Sequence, residues 1–234
     1  MATANDVLSV FRVVFSNMYQ SVRQYKDEIS KPHARAFMLV VGLVVVSFGS
    51  FRGYRWYINN REAAAQKTLS EAMQLYNNAW DTPSTWPDVS SALSVGYDQN
   101  SSSYLAPFFQ FFQAQALVQQ GNQREAIALM DKVLKRLPDS SSFFSFYQTK
   151  HALMKLDVDD QAIRASGLKQ LEQQANNKNS GARAVALFHL GYYYWHTHDS
   201  EKARNAWKKL IALQQGQPPS PFMTLVQEKM RQLG

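Results

Sequence analysis

The sequence predicts an all-α protein with an amphipathic helix in its N-terminal tail, one transmembrane helix, and a solenoid of helix pairs that ends in a capping helix. Three observations lead to this fold class. An uncharged apolar run lies between Arg35 and Arg52. Beyond it, apolar residues recur at helical spacing, and they never alternate with polar residues over the length of a strand. Prolines and glycines separate segments of helix length.

The tail, residues 1–35, carries an amphipathic pattern whose apolar residues recur at alternating spacings of three and four. This is the period of a helix with one apolar stripe. The predicted contact face of this helix consists of Phe11, Phe15, Met18 and Val22. The pattern fits a helix on a bilayer surface, a helix packed on a partner subunit, or a helix folded back on the same protein.

The apolar run, residues 36–51, is short for a membrane span, since a helix of that length measures about 24 Å against a hydrocarbon core of about 30 Å. Its C-terminal flank supplies the missing length. Arg52 and Arg55 can extend toward the headgroups, and an aromatic cluster follows at Tyr54, Trp56 and Tyr57. The predicted transmembrane helix therefore covers residues 36–58. A buried helix of a soluble protein and a cleaved signal peptide are the alternatives.

Three glycines within this span lie on one helical face, at Gly42, Gly49 and Gly53. Small residues at such spacing let two helices approach closely, so this face is a candidate for an intramembrane contact. The orientation of the span does not follow from charge, because basic residues flank it equally on both sides.

Composition excludes several classes of function. The net charge of +7 is spread along the chain without a basic patch, which argues against nucleic-acid binding. The chain has no cysteine, so thiol catalysis and disulfides are excluded. His189, His196 and His198 match no established ligand spacing, and we expect no metal, cofactor, small-molecule substrate or catalytic residue.

Residues 59–234 are predicted to form one domain of helices. The predicted segments are Arg61–Trp80, Asp88–Tyr97, Phe108–Gly121, Arg124–Leu137, Phe143–Leu156, Gln161–Ala175 and a capping helix at Phe222–Leu233. We expect the aspartates in the 157–160 turn to cap the helix that follows it.

Two of the helix pairs have the pattern of a tetratricopeptide repeat. In the first, a helix ends at Gly121, Ala126 occupies the close-packed point of the next helix, and Pro138 terminates it. In the last, the packing positions are Leu187, Leu190, Gly191 and Tyr194 in one helix and Ala203, Trp207 and Leu210 in the next. The distance between Ala126 and Ala203 leaves room for one lengthened middle unit, whose register the sequence does not define.

First helices of such pairs line the concave side of the stack, where an extended peptide or a partner helix can bind. The predicted partner-binding groove consists of Phe108, Phe111, Gln115 and Val118 in one unit and Val185, Phe188, Tyr192 and Trp195 in another. The alternative is that the middle unit and the capping helix fold over these residues and bury them.

Four segments of the chain carry a family resemblance: the anchor's exit at Gly53 to Tyr57, the helix from Arg61 to Trp80, and the terminal segments Lys202 to Trp207 and Gln227 to Leu233. In these segments the chain resembles the ancillary subunit of the bacterial Sec translocon. The resemblance implies a single-span inner-membrane protein with a cytoplasmic N-terminus and a periplasmic domain. The long amphipathic tail departs from the family's shorter, more acidic tails.

The resemblance also implies a function. Proteins of this kind associate with translocon subunits and a membrane-bound periplasmic chaperone and assist secreted proteins in the periplasm, without covalent chemistry. The alternative that the sequence leaves open is a scaffold subunit of another bacterial envelope assembly, with the repeat groove and the N-terminal helix as its binding surfaces.

Overall fold

A computed structural model describes residues 13, 16, 17, 19, 20, 32–141, 143–214 and 221–232, with the side chains of 32–38, 221 and 222 left undescribed. The chain divides into two compact units, Met1–Asn60 and Arg61–Gly234. The predicted tail helix falls mostly outside the described residues, and its contact-face residues Phe11, Phe15, Met18 and Val22 all do. Helix α1, Pro32–Asn78, contributes residues to both units.

In the first unit, α1 exposes its apolar side chains on every side. From residue 39 onward the exposed large side chains are Leu39, Val40, Leu43, Val44, Val45, Val46, Phe48, Phe51, Tyr54, Trp56 and Tyr57. A Cβ placed at Gly42, Gly49 or Gly53 would meet no atom of a described residue within 4 Å. Among the described residues, no helix is both long and apolar enough to cross a membrane. Residues 36–38 of the predicted span lie outside the described side chains.

The second unit consists of helices alone over its described residues, as the sequence predicts. After the part of α1 that begins at Arg61, a 3-10 turn at Pro83–Thr85 leads to α2 (Trp86–Gln99), α3 (Ala106–Gln119), α4 (Gln123–Arg136), α5 (Phe144–Leu156), α6 (Gln161–Asn176), α7 (Arg183–His196), α8 (Ser200–Leu213) and α9 (Pro221–Gln232). Each predicted helix of this unit ends within two residues of its predicted position, except that α1 runs on without a break before Arg61.

The first helix pair, α1 and α2, closes around aromatic rings. Tyr76 packs edge-on against Trp86, with ring centroids 5.2 Å apart, and Phe109 of α3 is fully buried beside them. Gly96 of α2 makes this approach possible, because a Cβ there would lie 2.6 Å from the Phe109 ring. The pair is thereby joined to the next one.

The last pair, α7 and α8, crosses at the small residue that the repeat pattern predicts. Trp207 of α8 is fully buried, and a Cβ at Gly191 of α7 would lie 2.0 Å from its Nε1 atom. The Trp207 indole N–H donates to the carbonyl oxygen of Phe188, 3.3 Å away. All seven predicted packing positions of this pair are buried, which confirms its register.

The lengthened middle pair, α5 and α6, also crosses at a glycine. A Cβ at Gly167 would lie 2.7 Å from the Cβ of Lys155 and 2.8 Å from the carbonyl oxygen of Ala152. Asp160 caps α6 by accepting hydrogen bonds from the backbone N–H groups of Ala162 and Ile163, as its position in the turn predicts. The close-packed residue of this unit is therefore Gly167, where the sequence pattern left the register undefined.

The C-terminal helix α9 packs on the last pair. Val226 is fully buried in the same core cluster as Trp207, with Met223 and Met230 packed beside it. Lys229 places its ammonium 4.0 Å from the centroid of the Trp195 ring of α7. This helix covers the apolar side of the last pair, which is the role of a capping helix in a solenoid.

Candidate partner-binding surface

The first helices of the three pairs from α3 onward lie side by side. Phe111 of α3 stacks on Tyr147 of α5, with ring centroids 4.3 Å apart, and Phe108 of α3 meets Phe143 just before α5 at 5.4 Å. Ala152 of α5 lies in the same core cluster as Leu187 of α7. The helices α3, α5 and α7 therefore form one continuous row.

The four predicted groove residues of α3 differ in their burial. Phe111 is only 4% exposed and belongs to the core beneath the row, because the middle unit places Tyr147 on it. Phe108, Gln115 and Val118 are half-buried. The middle unit therefore buries Phe111, and it leaves the other three residues partly accessible.

In α7 the predicted groove residues are half-buried against the last core cluster. Phe188 contacts Tyr192 at a centroid distance of 5.0 Å, and Tyr192 meets Trp207 of α8 at 5.8 Å. Trp195 carries the Lys229 ammonium of α9 on its ring. Val185 is half-buried as well. These side chains support the core and offer only part of their surface to solvent.

The most exposed rings of the row come from the middle unit, which the sequence pattern did not assign. Phe143 is 49% exposed and Phe146 is 37% exposed. Lys150, one turn further along α5, holds its ammonium 5.9 Å from the centroid of the Phe146 ring. We call Phe108, Phe143, Phe146 and Lys150 the aromatic platform. The sequence signal for it was the density of phenylalanines at the start of α5.

The charges on the row are of one sign. Helices α3, α5 and α7 contain no aspartate or glutamate, and their cations are Lys150, Lys155 and Arg183. In contrast, each of the second helices α4, α6 and α8 contains both acidic and basic residues. A surface formed by first helices is therefore aromatic and weakly cationic, whereas the second helices present mixed charge.

His189 lies at the junction of α5 and α7, and its environment disfavours the charged form. Burial lowers the pKa of His189 to about 4, and the neighbouring charge of Lys150 contributes to the lowering. The imidazole is therefore neutral at pH 7, and Lys150 supplies the positive charge at this junction.

The environment of His151 on α5 also disfavours the charged form. His151 is almost fully buried, and Asp131 of α4 places a carboxylate oxygen 3.3 Å from its Nε2 atom without hydrogen-bond geometry. Burial lowers the pKa of His151 to about 4; Lys155 adds to this lowering, and Asp131 opposes it. Among the described residues, no three histidine or acidic side chains are grouped to hold a metal ion.

Comparisons with known proteins agree with this architecture. Residues 113–140 match the tetratricopeptide repeat family. A crystal structure of nearly identical TPR-like repeats from Podosopora anserina, assigned to a kinesin light chain, superposes with a TM-score of 0.54 at 15% sequence identity. It covers 72% of this chain and 86% of its own, and at that identity it shows the fold alone.

No curated protein matches the chain. Neither match indicates an enzyme family, and repeats of this class typically serve as non-catalytic scaffolds for protein interactions. Together with the packing of Gly191 on Trp207 and of Gly167 on α5, these matches show that the second unit of the chain is a helical solenoid of tetratricopeptide-like repeats.

Proposed function

We propose that the protein is a membrane-anchored, non-catalytic adaptor that binds protein partners on the row formed by α3, α5 and α7. The observation that carries this proposal is the exposure of Phe143 and Phe146 side by side on a row without carboxylates. Exposed aromatic rings at the centre of a repeat surface are typical of sites where partners dock.

The anchor of this adaptor is the apolar part of α1. Most of its side chains from Leu39 to Phe51 are exposed around the helix, and no described residue of the chain buries them. Arg52 and Arg55 lie near the rings of Phe48 and Phe51, at 5.9 and 5.6 Å from the ring centroids. A lipid environment explains this combination of exposed apolar residues and a flanking arginine pair. The glycine face of Gly42, Gly49 and Gly53 is open for a second helix.

The resemblance to the ancillary translocon subunit suggests the setting. In that setting the N-terminus is cytoplasmic, the repeat domain is periplasmic, and the partners are translocon subunits and a membrane-bound periplasmic chaperone. The adaptor raises the local concentration of these partners at the channel exit and so assists secreted proteins in the periplasm. The second candidate is a scaffold subunit of another envelope assembly, which the same platform supports equally well.

Co-purification of the full chain in mild detergent tests the proposal. The wild-type chain is expected to recover protein partners, and a Phe143→Ser, Phe146→Ser variant is expected to lose them while its helical content stays unchanged. Val95→Ser on α2 is the matched control, because Val95 is equally exposed but lies outside the row. Loss of partners in the control alone would place the site elsewhere. Recovery of an unrelated envelope assembly would favour the scaffold.

Orientation has its own test. Protease added to spheroplasts is expected to degrade the repeat domain and to spare the tail. Protection of the repeat domain would overturn the periplasmic placement and leave the adaptor function to be judged by co-purification.

A further inference from the structure

In the aromatic platform, an apolar ring and a cation lie one helical turn apart, at Phe146 and Lys150. The Lys150 ammonium lies over one side of the Phe146 ring, and Phe143 extends the apolar surface toward Phe108 of α3. A partner that fits both features has an apolar side chain that packs on the rings and a negatively charged group that pairs with the ammonium.

The charge of Lys150 has no counterpart on the row. Within the residues that the structure describes, no ion pair involves Lys150, and no carboxylate lies on α3, α5 or α7. Its titratable neighbour across the junction is His189, which is neutral at pH 7. A carboxylate that arrives here therefore meets an uncompensated positive charge at a half-buried site, where the attraction is screened less than in open solvent.

We propose that the platform binds an acidic segment of a partner protein, in which carboxylates alternate with apolar side chains. This inference deepens the proposed function and depends on it, because it names the chemistry of the partner at the same surface. A nucleic acid does not fit, since one lysine among phenylalanines cannot neutralise a phosphate backbone.

Binding of two short capped peptides to the full chain tests the proposal. One peptide alternates leucine with glutamate and the other alternates leucine with glutamine. The glutamate peptide is expected to bind about tenfold tighter, and added salt is expected to reduce this preference. Lys150→Gln is expected to abolish the preference. Lys132→Gln, an exposed lysine on α4, is the matched control and should leave it intact.

A second measurement follows the pKa of His189, which lies where α5 and α7 meet. The glutamate peptide brings a negative charge near His189, so the pKa of the His189 imidazole, followed by NMR, is expected to rise on binding. The glutamine peptide is expected to leave that pKa unchanged. A fold defect in the Lys150 variant would not mimic this result, because the pKa change is measured on the wild-type chain.

The outcomes separate the two proposals. Equal affinity for the two peptides would overturn the acidic partner. If Phe143→Ser, Phe146→Ser releases co-purified partners but Lys150→Gln retains them, the adaptor function stands and the acidic partner does not. If Lys150→Gln weakens sedimentation with anionic lipid vesicles and leaves peptide binding unchanged, the ligand is a lipid surface and the proposal is wrong.

Discussion

Gly191 shows how a single hydrogen atom in place of a methyl group sets the distance between two helices. In the interior of an isolated helix, alanine is more stable than glycine by about 1 kcal/mol. At position 191 the added Cβ would overlap the indole of Trp207, which is fully buried. Helix propensity therefore favours alanine at position 191, whereas packing against Trp207 requires glycine.

Gly191→Ala is accordingly expected to destabilise the repeat domain by about 2 kcal/mol, as overpacking in a well-filled core does. Urea unfolding followed by tryptophan fluorescence measures the change. Gly181→Ala is the control, because a Cβ there would meet only Ser145 Oγ at 3.7 Å. A stabilised Gly191→Ala variant would show that α7 and α8 do not cross at this glycine.

His151 makes stability depend on pH. Its pKa is about 4 in the folded protein, because burial disfavours the charged ring, against about 6.5 in an unfolded chain. Between these values the unfolded chain binds a proton that the folded chain does not. The free energy of unfolding therefore falls as the pH is lowered from about 6.5 to about 4.

His151→Gln is expected to reduce the fall in stability across this window by about 2 kcal/mol, and the contribution of His189, whose pKa is also lowered to about 4, remains. Urea midpoints measured at a series of pH values give the slope. If the His151 variant keeps the wild-type slope, His151 is not the group that titrates.

At the scale of elements, the sequence predicts helix bounds well because the chain places prolines, glycines and caps at their ends. Pro83, Gly121 and Pro138 stand in the turns that separate α1 from α2, α3 from α4 and α4 from α5. Gly121 adopts a positive φ of 81°, which glycine accepts without strain. These signals are local, because the backbone conformation at each position depends on the residue type and not on contacts between repeats.

The site was predictable only in part, because its exposure depends on contacts between repeats. Phe111 occupies a groove position by register, yet Tyr147 from the lengthened middle unit stacks on it. Phe143 and Phe146 belong to the unit whose register the pattern could not define, because Gly167, and not an alanine at the usual spacing, makes its helix crossing. The packing of the middle unit therefore places the accessible rings at the start of α5, one row helix beyond the predicted position on α3.

Val226 is the fully buried side chain of the capping helix α9, and Met223 and Met230 pack beside it. Val226→Ser is expected to release α9 and to increase hydrogen exchange in α9 and α7, because burial of a valine contributes about 1.5 kcal/mol. Exchange in α3 and α4 should not change. Leu225→Ser, at the neighbouring and partly exposed position, is the control. Unchanged exchange in α9 of the Val226 variant would mean that other contacts dock the helix.

At the scale of the molecule, the two units differ in how they treat apolar surface. In the solenoid, each helix packs mainly on the helices before and after it in the chain, and large side chains such as Trp207, Tyr147 and Phe109 are buried between them. In the first unit, the apolar side chains of α1 from Leu39 onward remain exposed. Among the described residues nothing buries this apolar surface, and the proposed bilayer would do so.

Val44→Arg tests whether that environment is a bilayer. Val44 lies near the middle of the apolar stretch, where an arginine costs about 3 kcal/mol in a membrane span, so the variant is expected to become extractable from membranes by alkaline carbonate. Leu75→Arg places the same charge on an exposed apolar position of α1 within the second unit and should fractionate like the wild type. If Val44→Arg also stays in the carbonate-resistant fraction, residues 36–58 do not form the anchor. The exposed side chains of this stretch would then need a protein partner to cover them.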